Sequence, residues 1–413
     1  MPTSQKPSID ALAVAALAAE GKTQTEISKT LGLSQSAVSR LLKGVMDYVQ
    51  VARSFRWDKL DDDPETKQEV QARISRSEIG DRLARLAPDH APAVRVVLLK
   101  DDAETVPQFD TFAAHAALAL RDLLEQVRGR VGVAWGSTLW YTTQALRSIL
   151  PQSPLRQQAP IEFVPLCGDP LIDSQARDAD RTSSRIVSEL SKAVNGDEPR
   201  PAWLGLVPAF IPRTFKPDEV RVIDRLIDLV PQYPRIFGPR IGPPGLWPPI
   251  AGDLHMIITA AGPAKRPVGF GQNPLLGLQD KEPEELAANI YGDIGGVLLA
   301  RLPNGPGEHG QPPEPHPLVQ DLTRRWTGLK IEHLEACSRR AFQERSKSRP
   351  GVTLLSFGAS HVEVVIEAVR RGLVNQLIIG SDLESAMLKA LPPAEPEGAA
   401  ERPFARNRHA SSR

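Results

Sequence analysis

Between Gln24 and Lys43 the chain reads QTEISKTLGLSQSAVSRLLK. Ser34, Gln35, Ser36, Ser39, Arg40 and Lys43 are hydroxyl, amide and cationic side chains that fall outward on a helix beginning after Ser34. Groups of those types at that spacing suit hydrogen bonds to base edges in a major groove and to phosphate oxygens. The intervening residues are those needed to hold such a face. Ile27 and Leu31 point inward from a preceding helix, and Ser28 is small enough to let a second helix approach. Gly32 can take the positive φ of a tight turn. Leu33 plugs that turn, Ser34 caps the next helix, and Val38, Leu41 and Leu42 return to the core. Any one of these features also occurs in a plain helical hairpin with a solvated face. Their combination predicts a helix-turn-helix.

A second group of residues follows apolar strand-like runs. Gly136, Ser137 and Thr138 come after 130–135, and Gly358, Ala359, Ser360 and His361 come after 352–357. A strand that turns directly into a helix leaves backbone N–H groups free at a positive helix end, beside hydroxyls, which suits sugar hydroxyls, phosphate or carboxylate. A plain helix cap at Ser137 or Thr138 fits the same residues. Asp293, in Tyr291-Gly292-Asp293-Ile294-Gly295-Gly296, could accept from a pair of sugar hydroxyls or serve as an ordinary loop or capping aspartate. Nucleophilic catalysis has less support. His90, His115 and His255 stand in no order with a nucleophile and an orienting group, and no metal-ligand spacing occurs among the eight histidines. Cys167, after an apolar run, reads as a small buried residue.

The elements that must position these groups divide the chain. Residues 9–57 predict helices over 9–20, 23–31 and 34–43, then a short strand or wing over 48–57. Residues 65–86 read as a charged connector helix. From residue 90, strands at 94–99, 130–135, 161–166, 203–207, 254–259, 352–357 and 376–379 alternate with helices. This predicts an α/β fold with a mostly parallel sheet. Proline-dense stretches over 199–249 and 303–317 read as loops on that body, and the tail from 392 as disordered. The expected domains are 1–58, a connector over 59–89, an α/β body over 90–391, and the tail 392–413.

Composition bounds the partners. The 413 residues carry 50 Lys+Arg against 50 Asp+Glu, which excludes a protein that coats nucleic acid or membrane over its whole surface. Residues 1–57 carry seven Lys+Arg against four Asp+Glu, an excess of the sign that phosphate contacts need. Two distant cysteines and the absence of a secretory signal or long apolar stretch fit a cytoplasmic chain. No cofactor, metal or membrane partner is expected.

Taken in order, the pieces resemble the SorC/DeoR-type family of bacterial sugar-binding transcriptional regulators. The resemblance rests on the helix-turn-helix followed by 131–139 (VGVAWGSTL), 163–168 (FVPLCG) and 206–210 (LVPAF). It continues through 292–294 (GDI), 357–360 (FGAS) and 371–382 (RGLVNQLIIGSD). It implies a winged-helix-like operator-binding unit and an effector domain similar in fold to sugar-phosphate isomerases and CoA transferases. It also implies homodimers or homotetramers, and it adds Gly168 to Gly136, Ser137, Thr138, Asp293, Gly358, Ala359, Ser360 and His361 as effector contacts. Where the family often places a lysine, this chain has His361, which cannot form a stable imine and is only partly charged near neutral pH. The expected effector is therefore a non-phosphorylated sugar, polyol or small derived acid. The alternative is a sugar-phosphate isomerase-like or other carbohydrate-metabolising enzyme carrying an accessory helix-turn-helix.

Overall fold

The computed structural model describes residues 8–19, 23–44, 78–97, 99, 105–151, 155, 160–168, 182–196, 208–241, 243, 248–265, 278, 281–303, 313–344 and 348–393. The expected wing, the first part of the connector, the 203–207 strand and residues 394–413 of the tail lie outside them.

Three helices open the chain: α1 (Ile9–Ala19), α2 (Gln24–Leu31) and α3 (Gln35–Gly44). Thr23 starts α2 through a reciprocal cap: its hydroxyl accepts from Glu26 N–H, and the Glu26 carboxylate accepts from Thr23 N–H. Gly32 ends α2 at φ 64, the left-handed conformation that a side chain resists. The turn is then locked twice. Leu33 N–H donates to Ser28 O at 3.1 Å, and Ser28 Oγ donates to Leu33 O at 2.5 Å. Ser34 Oγ accepts from Ala37 N–H and caps α3. Ala13, Val14, Leu17, Ile27, Leu31 and Val38 bury together, with Leu33, Leu41 and Leu42 packed at their margin.

After helix α4 (78–86), the body alternates β1 (Ala93–Val97), α5 (Thr105–Leu124), β2 (Arg130–Val133), α6 (Ser137–Ile149), β3 (Glu162–Pro165) and α7 (Ser183–Asn195). Then come α8 (Pro217–Asp228), α9 (Gln232–Phe237), β4 (Met256–Pro263), α10 (Glu282–Asn289), β5 (Ile290–Ile294), β6 (Val297–Ala300), α11 (Pro317–Arg325) and α12 (Ile331–Glu344). The last elements are β7 (Gly351–Ser356), α13 (Val362–Arg370), β8 (Gln376–Gly380) and α14 (Ser381–Ala390). The main sheet runs β1-β8-β7-β4-β2-β3, and every pair in it is parallel. The chain is α/β.

A parallel sheet is buried on both faces, and the strands alternate accordingly. Val131, Val133, Met256, Ile258, Leu355 and Ile378 pack with α5, α6 and α7 residues such as Phe112, Leu120, Leu146 and Leu190. Ile257, Leu354, Leu377 and Ile379 face the other way, onto Leu83 of α4 and onto α12, α13 and α14. Gly132 shows how tight the second layer is. A Cβ there would lie 2.5 Å from Leu166 Cδ1 and 2.7 Å from Leu254 Cδ1.

The sequence pattern did not anticipate the β5–β6 hairpin. Residues 292–294 read as a loop or a helix cap, yet they form β5. β4 runs four residues past its expected end, so that Ala261–Pro263 pair antiparallel with Gly292–Ile294. Gly295 and Gly296, at φ 58 and 91, make the turn to β6. Gly296 lies flat against the Trp326 ring: a Cβ there would come within 2.2 Å of Cζ2. Left-handed strain and overpacking therefore act together at Gly296. Gly296→Ala is expected to destabilise the protein by about 2 kcal/mol or more in chemical denaturation. Gly252→Ala, where the added methyl meets open space, should stay within about 0.5 kcal/mol. Equal stabilities for the two variants would contradict this packing.

Candidate functional site

All six parallel strands end at one edge, and their following segments collect there. β2 continues to β3 on one side of it, whereas β4 continues to β7 on the other. The direction of winding reverses between β2 and β4, and ligands of open α/β sheets sit at such a reversal, beyond the carboxyl ends. Gly136, Ser137 and Thr138 follow β2. Gly136 takes φ 121 and gives α6 no side-chain cap. Ser137 and Thr138 form the first turn of α6, half-exposed. Gly358, Ala359, Ser360 and His361 follow β7, with Gly358 at φ 95 and Ala359 and Ser360 exposed in a short 3₁₀ turn. β7 and β2 flank β4, so the two groups share the edge about 10 Å apart by strand spacing. Gly168, two residues beyond the Leu166 that follows β3, is buried at the same edge.

Asp293 has a different position from the one its sequence suggested. It is fully buried in β5, and its Oδ1 accepts the Gly296 N–H at 3.0 Å. It thereby holds the hairpin turn. Beside it, Cys167 Sγ–H points to Gly295 O at 3.4 Å. Burial, reinforced by the Asp293 carboxylate, pushes the Cys167 thiol well above its ordinary range, and burial raises Cys337 to about 12. Both thiols are structural. His361 Nδ1 faces Phe357 O, and burial lowers its pKa despite that contact and the nearby Asp382. His90 packs edge-on against Phe342, and His115 Nδ1 meets Thr111 O.

Three further groups at this edge escaped the sequence reading. Trp135 Nε1, Ser356 Oγ and Asp382 Oδ1 are buried without a hydrogen-bond partner among the described residues. Trp135 ends the β2 run, Ser356 is the last residue of β7, and Asp382 is the second of α14, after β8. Each such atom costs about 1–3 kcal/mol relative to a satisfied one. Singly they are one N–H donor, one hydroxyl and one carboxylate oxygen, at the ends of three different strands. The signal available in the sequence was only that all three sit at strand ends.

In the N-terminal unit, Ser34, Gln35, Ser36 and Arg40 are exposed and Ser39 half-buried. Ser34 and Ser36 hydroxyls lie 3.0 Å apart, and Gln35 Nε2 donates to Thr25 Oγ1 at 2.7 Å, bracing α3 against α2. Arg40 makes no ion pair among the described residues. Lys43 lies within α3, but its side chain is outside the described residues.

No family model and no curated protein matches the chain. Several solved structures are similar to it. The full-length sorbitol operon regulator SorC from Klebsiella pneumoniae is 16% identical, with 92% of this chain and 97% of that one covered and a TM-score of 0.49. A DeoR family transcriptional regulator from Listeria monocytogenes is 17% identical over 75% of this chain and 98% of its own, with a TM-score of 0.48. A transcriptional regulator from Streptococcus pneumoniae is 14% identical over 76% and 96%, with a TM-score of 0.47.

Two measurements check the electrostatics of this region. His255, His333 and His361 all have lowered pKa values, chiefly through burial, so below about pH 6.5 the unfolded chain binds more protons than the folded one. Stability is therefore full above that pH and falls on acidification. The urea midpoint should drop between pH 7 and pH 5, and less steeply in His361→Gln; superimposable profiles would contradict the assignment. Native protein at pH 8 should leave Cys167 and Cys337 unlabelled by a thiol reagent that modifies both after unfolding.

Proposed function

We propose that the chain is a ligand-responsive transcriptional regulator of the SorC/DeoR type, in which residues 1–58 bind operator DNA and 90–391 bind a small carbohydrate. The observation that carries this reading is the N-terminal unit. A left-handed Gly32, a Ser28–Leu33 lock and a Ser34-capped α3 present Ser34, Gln35, Ser36 and Arg40 to solvent from a preformed helix. That is the arrangement by which a recognition helix enters a major groove. Ser39 and Lys43 complete the proposed contact set on the same helix. Dimeric or tetrameric assembly would pair two such units on successive half-sites, and residues 59–89 would link them to the body.

The ligand reading rests on the carboxyl edge. The orphaned donor of Trp135, the hydroxyl of Ser356 and the carboxylate oxygen of Asp382 face partners that sugar hydroxyls can supply. Gly136, Ser137, Thr138, Gly168, Gly358, Ala359, Ser360 and His361 would surround the same ligand, and Asp293 would act through the hairpin. A lowered His361 pKa and an unpaired Asp382 oxygen disfavour phosphate, which supports a neutral sugar or polyol. This role needs no cofactor and no catalytic group; the soluble regulator acts by differential affinity of two states for its ligand.

Arg40→Ala should weaken binding to a selected operator by about 1–3 kcal/mol in a gel-shift titration if Arg40 reads a base. Unchanged affinity would remove Arg40 from the contact set. Calorimetric titration against sugars, polyols and their phosphates should give binding by an unphosphorylated member, lost in Asp382→Asn with operator affinity intact. Binding by phosphates alone would overturn the neutral-ligand assignment.

A further inference from the structure

A cavity of about 420 Å³ opens between β6, α11 and the beginning of α12, and its lining includes none of the groups proposed for the sugar. That volume is within the usual range for small-molecule sites, about 300–1,000 Å³. Leu298, Ala300, Val319, Leu322, Trp326 and Leu329 give it apolar walls. Its polar groups are mostly basic: Lys330, Arg324 and Arg371 line it, with the exposed Glu332 at its margin.

The three cations are not equivalent. Arg371 is already paired: its Nε donates at 2.8 Å to Glu367 Oε1, a carboxylate it shares with Arg370, and its Nη2 donates to Ala300 O at 2.7 Å. Arg324 is exposed to solvent, which screens it. Lys330 is partly buried, and no carboxylate lies within ion-pair distance of its ammonium among the described residues. Its Nζ donates to Trp326 O at 2.5 Å and to Thr323 O at 3.0 Å, carbonyls at the end of α11, the first of which also accepts from Arg240 Nη1 at 3.3 Å. Those carbonyls use two of three ammonium hydrogens and supply only partial negative charge. Burial, together with Arg240 nearby, lowers the Lys330 pKa to about 8, the mark of a cation short of countercharge.

We propose that this cavity is a second ligand site, one that takes a compact organic carboxylate. The carboxylate meets the third hydrogen of Lys330, and the apolar body lies against Leu298, Val319, Leu322 and Trp326. A full negative charge beside Lys330 completes what the two carbonyls begin. The same apolar walls disfavour a sugar, whose many hydroxyls would lose their water without gaining partners. The two sites thus select opposite chemistries. They meet at one place: the Trp326 ring lines the cavity, and its centroid lies 5.6 Å from that of Trp135 at the carboxyl edge.

The test is calorimetric titration of the full chain with benzoate and hexanoate, each beside its alcohol, benzyl alcohol and 1-hexanol. At least one carboxylate is expected to bind saturably at one site, tenfold or more tightly than the alcohol of the same body. Lys330→Met should weaken that binding at least tenfold, and Lys330→Arg should retain most of it. Thr323→Trp, placed at an exposed position on the rim, should block entry while leaving the core untouched, so it decides the matter if Lys330→Met fails to fold. No saturable heat from either carboxylate, equal binding of acid and alcohol, or wild-type binding by Thr323→Trp would each overturn the proposal.

Discussion

Every strand of the main sheet runs in the same direction, and the rest of the body follows from that. Parallel strands need long return connections, so helices must cover both faces. The period-two alternation of Val131, Gly132, Val133 and of Leu354, Leu355 is the sequence consequence of having a core on each side. All carboxyl ends then point to one edge, and each chain leaving that edge has to turn at once. Gly136 and Gly358 take φ values that side chains rarely adopt, and they bring α6 and the 359–361 turn to the same place from β2 and β7. Winding reverses there between β2 and β4, and the antiparallel hairpin β5–β6 continues β4 past the sheet as a wall at that edge.

That wall is built tightly and from small residues. Gly292, Gly295 and Gly296 allow the hairpin to lie against Gly262 O, Ala134, Thr259 and Trp326 at distances no Cβ would permit. Asp293 spends its carboxylate on the turn, and Cys167 ties the end of β3 to Gly295 O. A rigid, satisfied wall stands beside an edge where Trp135, Ser356 and Asp382 keep unsatisfied atoms. A ligand bound at strand ends gains most where it supplies such missing partners.

The helix-turn-helix was legible because its determinants are local. Ser28, Gly32 and Ser34 each act within five residues, and the inward stripe of Ile27, Leu31 and Val38 is a single helical period. The parallel sheet was legible for the same reason: β-branched runs alternate with amphipathic helices. The hairpin was not. Ile290–Ile294 and Val297–Ala300 become strands only because β4 overruns and offers its edge, and Tyr291-Gly292-Asp293 carries no alternation that would announce it. Trp135, Ser356 and Asp382 were missed because lacking a partner is a tertiary property that no residue type or spacing encodes. Nothing local in the sequence sets Lys330 apart; its place between α11 and α12, beside a cavity, comes from the packing of α11 on β6.

The proposed regulator would join an operator-binding unit and a carbohydrate-binding edge in one chain, and the proposal requires that the two be energetically linked. Linkage of this kind amounts to a coupling free energy, commonly about 1–3 kcal/mol, and is seen as a change in one affinity when the other ligand is present. The most direct measurement is the affinity of the full chain for an operator selected from random DNA, with and without each member of a panel of neutral sugars and polyols at saturation. If that linkage exists, at least one member shifts operator affinity fivefold or more in either direction. A single unchanging affinity across a panel that includes a calorimetrically confirmed ligand would contradict it.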